Sequence, residues 1–166
     1  SERTAPDHVV TTAADALGGL DVVVHAAGVV AFGDVNELSD ETLDELIAVN
    51  LIAPMCLVRA AANRLDSGGV IVVLSAIVAD MPTAGMAAYS ASKAGITAFN
   101  RAAARELRRR SIRLVDVRPP HTATGLEHRA IAGTPPKLPN GRPTTEVVSA
   151  IIEAITDDSV RDLPFT

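Results

Sequence analysis

Cysteine is nearly missing. A single Cys56 in 166 residues excludes an intramolecular disulfide framework and any multi-cysteine metal site. No metal site is expected, and the one thiol suits a reducing, cytoplasmic setting. Aromatics are scarce too: Tyr89, Phe32, Phe99 and Phe165, with no Trp. That excludes base-stacking platforms and aromatic sugar clamps as the main device. Positive charge is in deficit, 15 Lys+Arg against 20 Asp+Glu for a net −5, a poor balance for nucleic acid or an anionic membrane. Lysine is rarest among the cations, Lys93 and Lys137 against 13 Arg. No apolar run reaches the ~18–20 residues of a membrane helix. The opening residues, Ser-Glu-Arg-Thr-Ala-Pro-Asp, hold no apolar signal core.

Apolar residues make up 48% of the chain, enough for one compact domain over 1–166. Helical and strand-like segments alternate, the pattern of an α/β domain with a parallel sheet. His8 to Leu17 reads as a helix closed by Gly18-Gly19. Asp21 to Ala27 reads as a strand covered on both faces, and Val70 to Ser75 as a second buried strand. Between them, Ser39 to Asp66 is a long helical candidate with Ser39 as N-cap and a kink expected beside Asn50, because Pro54 interrupts the pattern. An Ala-rich helix over Tyr89 to Arg110, a strand over Ile112 to Arg118 and a helix over Thr145 to Ile155 follow. Val160 to Phe165 is a last short strand that Pro164 confines to an edge. The Pro- and Gly-rich segment 126–143 reads as a lid, and Ala130, Ile131, Ala132, Pro135 and Pro136 give it an apolar wall.

The chemistry concentrates in Tyr89-Ser-Ala-Ser-Lys93. Residues at i and i+4 share a helix face. An ammonium beside a phenol lowers the phenol's pKa from ~10 and fits it for proton transfer near neutral pH. Taken alone, the same pattern also describes a half-buried Tyr beside a solvated Lys. It does not stand alone. Ser75 ends a buried strand 14 residues before Tyr89, where open α/β sheets bind ligands. Asn50 occupies a helix interior, a mediocre place for Asn.

In residue type, order and spacing, Asn50, Ser75, Tyr89 and Lys93 resemble the catalytic set of the short-chain dehydrogenase/reductase family. His25-Ala26-Ala27-Gly28 is similar to that family's Asn-Asn-Ala-Gly strand end, with His25 in place of the first Asn. Arg118-Pro119-Pro120-His121-Thr122-Ala123-Thr124 resembles its Pro-Gly segment near the nicotinamide, with Pro120 replacing Gly. The resemblance implies a Rossmann-like doubly wound parallel sheet and hydride transfer between NAD or NADP and a carbonyl or alcohol. Tyr89 would be the acid/base, Lys93 its electrostatic partner and ribose contact, Ser75 the group polarising the carbonyl, and Asn50 the keeper of a kinked helix. Ala26, Ala27, Gly28, Tyr89, Lys93, Pro119, Thr122 and Thr124 would line the cofactor.

The family's opening strand with its TGxxxGxG-type turn has no counterpart here. The expectation is that an N-terminal βαβαβ portion is missing from this sequence, and that the chain alone binds dinucleotide poorly. The competing expectation is a cofactor-free fragment or pseudoenzyme that serves as an oligomeric scaffold around a three-stranded remnant. The partners expected are a small carbonyl or alcohol substrate, and further copies of the chain in a homodimer or homotetramer. Ala60, Ala61, Ala62, Ala102, Ala103 and Ala104 would allow close helix contacts between the copies. No nucleic-acid or membrane partner is expected. The Arg105, Arg108, Arg109 and Arg110 cluster reads as a solvated helix end.

Overall fold

A computed structural model of the chain describes residues 4–165. Five α-helices and four strands alternate along it. Helix α1 (Ala5–Leu17) starts one turn earlier than expected, because Pro6 is accommodated in its first turn. It ends at Gly18, whose left-handed φ of 75° closes the helix with an amide bonded to Ala14 O. Strand β1 (Val22–His25) follows. Helix α2 (Asp40–Ile47) is capped by Ser39, whose side chain accepts from the Thr42 amide, and Asp40 and Glu41 sit in its first turn.

The kink expected beside Asn50 is a π-helical turn over Ala48–Ile52 that leads directly into α3 (Ala53–Ala62). Its cause is covalent. Pro54 has no N–H to give the carbonyl of Asn50, so the α-helical ladder cannot continue through that point. The helix stops at Ala62, short of Asp66. By length and composition alone, Asp40–Ala62 could cross a membrane. Here it packs against α1, α4 and the sheet.

Strands β2 (Val70–Leu74), β3 (Arg113–Arg118) and β4 (Asp162–Pro164) join β1 in one sheet of order β1-β2-β3-β4, all parallel. The sheet thus has four strands rather than three, since the C-terminal segment pairs. Pro164 lies on the outer edge opposite Arg118, where its missing donor does no harm. Helices α3 and α4 (Ala87–Leu107) cover one face through Val58, Ala61, Ile71, Ile96, Ala103 and Leu114. Helix α5 (Thr144–Thr156) covers the other through Val70, Val72, Val115, Val117, Val147 and Ile151. Helices on both faces of a parallel sheet make the fold a doubly wound α/β domain.

Two expectations change. Strand β1 is not covered on both faces: Val22 and Val24 are 38% and 46% exposed on the face opposite Val23, which packs under α3 and α4. The α5 core draws its strand residues from β2, β3 and β4. The alanines are also used differently. Ala60, Ala61 and Ala103 are buried within the chain, where their small side chains let α3 and α4 approach the sheet and each other.

Candidate active site

The loops at the carboxyl ends of the strands converge on one end of the sheet. Gly28 follows β1, Ser75 follows β2, Pro119 follows β3, and Tyr89 and Lys93 stand on the first turns of α4. Ordering of this end begins with Asn50, 1% exposed in the π-turn. Its Oδ1 accepts from the Val29 amide at 3.0 Å, and its Nδ2 donates to Val29 O at 2.9 Å. That side-chain amide thus imitates a strand neighbour for the loop after β1. Nδ2 also donates to Ser92 Oγ at 3.2 Å, and Ser92 donates to the carbonyl of Tyr89 at 2.7 Å. Loop, π-turn and α4 are thereby locked together.

Lys93 is buried and donates to Leu74 O at 3.2 Å, one residue before Ser75. Its Nζ lies 5.9 Å from the centre of the Tyr89 ring. A Cβ placed on Gly28 would come within 3.2 Å of Asn50 Oδ1 and 3.4 Å of Lys93 Nζ. A side chain there would press on the Asn50 amide and touch Lys93. Gly28, Asn50, Tyr89 and Lys93 are therefore brought together, with Ala26 and Ala27 exposed beside them.

Ser75 reaches the same end of the sheet, but its hydroxyl donates to Val117 O at 3.1 Å. Pro119 contributes its carbonyl, which accepts from Ile77 N–H at 3.0 Å. Thr122 and Thr124 serve their own loop: Thr122 Oγ1 donates to Pro120 O, and Thr124 Oγ1 accepts from Leu126 N–H. His25 ends β1 with a buried Nδ1 that has no hydrogen-bond partner among the described residues. Burial first, and the charge of Lys93 second, hold its pKa below the ordinary value.

The electrostatics correct the expectation for Tyr89. Burial pushes its pKa up to about 12 instead of Lys93 lowering it. Lys93 pays the corresponding penalty: burial brings its pKa down to about 8, with Asp116 opposing that shift. For two groups withdrawn from water, loss of solvation outweighs an attraction across 5.9 Å.

The segment 126–143 is mostly irregular, with one 3₁₀ turn at Leu126–Arg129. It closes on the loop after β1 through Phe32 N–H to Ala132 O and Ile131 N–H to Val30 O, both 2.9 Å. Gly133 permits the approach. It has φ 71°, and a Cβ there would overlap the Phe32 carbonyl. Ala130, Ile131 and Ala132 pack against the cluster that holds Tyr89. A cleft of about 560 Å³ opens between Phe32, Glu37, Gly85, Ala132 and Pro136. An adjoining recess reaches Leu46, Met86 and Tyr89.

Two residues here escape a reading by spacing. Ser92 was legible only as the residue one turn beyond Tyr89. Asp116 was signalled by an acid inside the otherwise apolar Leu-Val-Asp-Val run of β3.

Comparison with known proteins agrees with this fold. A family model described as short chain dehydrogenase matches residues 1–134. A cyclic-di-GMP-binding biofilm dispersal mediator protein of Escherichia coli is 38% identical over 103 residues, 61% of this chain and 44% of that protein. A 2,5-dichloro-2,5-cyclohexadiene-1,4-diol dehydrogenase of Sphingobium indicum is 31% identical over 134 residues, 80% of this chain and 52% of that one. A crystal structure of a short chain dehydrogenase from Burkholderia cenocepacia in complex with NADP has a TM-score of 0.83 and 26% identity. That match covers 97% of this chain and 70% of the other. The chain spans about half the length of the curated relatives it matches. With its parallel sheet, its α4 Tyr-Lys pair and a family match over most of its length, the chain belongs to the short-chain dehydrogenase family.

Proposed function

We propose that this site serves an NAD(P)-dependent oxidoreductase acting on a carbonyl or alcohol. The observation that carries the reading is the Gly28–Asn50–Lys93 contact beside Tyr89. A cradle that a single Cβ would fill fits close approach by the nicotinamide and its ribose, with Lys93 as the cationic donor. Ala26, Ala27, Pro119, Thr122 and Thr124 are proposed as further contacts on the cofactor side. When bound, the nicotinamide supplies or accepts the hydride.

The protein's own part is protonic and positional. With its pKa at about 12, Tyr89 keeps its proton across neutral pH and gives it to the substrate oxygen as charge develops there. Lys93, still largely charged at neutral pH, stabilises the phenolate left behind. Ser75 exchanges the Val117 carbonyl for the substrate oxygen and polarises it. Asn50 acts through Val29 and Ser92 to hold the loop and α4 in register. The apolar lid residues favour a lipophilic substrate.

The test, in the full-length protein rather than this chain alone, is oxidation of NADH or NADPH in the presence of simple aromatic ketones, across neutral to alkaline pH. The expected result is ketone-dependent oxidation whose rate falls above pH of about 8, as Lys93 loses its proton. Tyr89→Phe is expected to reduce it by ~10²–10⁴. A Tyr89→Phe protein as fast as the native one would overturn the assignment.

A further inference from the structure

Beneath α4 lies a buried polar cluster that the proposed mechanism does not use. Asp116 on β3 is 2% exposed, and Arg118 on the same face of β3 is 3% exposed. Asn100, two turns along α4 from Lys93, donates to Asp116 Oδ1 at 2.7 Å. Arg118 donates to Asp116 Oδ2 at 2.6 Å. Its remaining donors reach Asp162 on β4 in a two-point contact, and Asp80 lies within ion-pair distance. Asp116 is thus fixed from two sides, under the helix that carries Lys93.

Few charges share this space. Lys93 donates to Leu74 O at the end of β2, and the strand register sets Val73 and Leu74 opposite Asp116 and Val117, with His25 opposite Val73 on the other side. The titratable groups around this point are therefore Asp116 with its partner Arg118 on β3, His25 at the end of β1, and Tyr89 one turn earlier on α4. The π-turn presents only the uncharged Asn50. Asp116 is the one carboxylate among them that favours the charged lysine, while burial works against it. Among the described residues, Lys93 makes one hydrogen bond, to the backbone carbonyl of Leu74.

We propose that Asp116, clamped by Arg118 and Asn100, is a positioning residue that keeps the buried Lys93 side chain in its charged form. Arg118 sets how much of that negative charge Lys93 feels. Neutralising Asp116 withdraws support from the ammonium. Neutralising Arg118 leaves Asp116 less compensated and strengthens that support. A purely structural role would give no such opposition of sign. The inference builds on the functional reading of Lys93, but its test does not require turnover.

The chain has only two lysines, Lys93 and Lys137. Isotope labelling of the lysine ε-carbon therefore yields two NMR signals, and Lys137→Arg assigns them. Each signal is followed against pH in the intact protein and in Asp116→Asn and Arg118→Met. The expected result is a Lys93 midpoint lowered by roughly one unit in Asp116→Asn and raised in Arg118→Met. Should Arg118→Met fail to fold, Asp162→Asn replaces it, and a smaller downward shift is expected. Where ketone reduction is measurable, its alkaline limb should move with the Lys93 midpoint. An Asp116→Asn protein that is folded and leaves Lys93 unmoved, or shifts it upward, overturns the inference. Turnover with an unmoved Lys93 spares the functional reading. A moved Lys93 without turnover spares the inference.

Discussion

Lys93 and Arg118 are two cations buried to nearly the same degree, 5% and 3% exposed, on neighbouring elements. Their fates are opposite. Arg118 meets carboxylates from Asp80, Asp116 and Asp162, and Asp162 first, then Asp116, hold its pKa above the ordinary value. Lys93 meets one backbone carbonyl, and burial brings it down to about 8. Burial alone therefore does not decide what a buried charge does; the partners supplied to it do. A guanidinium forks onto two carboxylate oxygens and never titrates in the physiological range, whereas an ammonium is a point charge that does. The molecule uses the first as a clasp between β3, β4 and the turn after β2. It leaves the second undercompensated where proton chemistry is proposed.

The sharpest way to break this contrast is Arg118→Met. It strands Asp116 in the core, and the expected loss is about 3–5 kcal/mol in urea unfolding. A loss under about 1 kcal/mol, the range of exposed pairs, would mean the clasp is not structural.

The next test uses pH. Lys93 is lowered from 10.5 to about 8 on folding. Between those values the unfolded chain holds the proton and the folded one has released it. Stability should therefore rise with pH through that window, by up to about 3 kcal/mol. Tyr89, raised from 10.0 to about 12, works the other way and removes stability above pH of about 10. Unfolding midpoints measured at successive pH values should accordingly peak near pH 10.

A smaller effect separates Asn50 from both cations. Asn50→Ala leaves the Val29 amide and carbonyl without their partner. The expected cost is about 1–3 kcal/mol, with faster hydrogen exchange at the Val29 amide.

Much of this was legible in the sequence, for identifiable reasons. The apolar runs of β2 and β3, the Ala-rich α4 and the break at Pro54 beside Asn50 are local signals, and each survives in the fold. The strand-end placement of Gly28 and Ser75 follows from them. The Arg118 clasp was not legible, because Asp162 meets it only through the β3–β4 register, 44 residues away. The direction of the Tyr89 shift was missed for a related reason. The i, i+4 spacing shows that Lys93 is near but says nothing of the solvent both groups lose. Strand β1 misled because an apolar run does not state which face a helix will cover, and Val22 and Val24 are left exposed.

In the proposed reading, Lys93 serves proton chemistry against the interest of the fold. Lys93→Met tests it most directly, because it removes the charge and keeps an unbranched side chain in the same space. Chemical unfolding at neutral pH is the measurement. The variant is expected to be more stable than the native protein by about 1–3 kcal/mol, since the folded state no longer carries an undercompensated cation. A variant less stable than the native protein would show that Lys93 holds the structure together, and would remove the reason to assign it to proton chemistry.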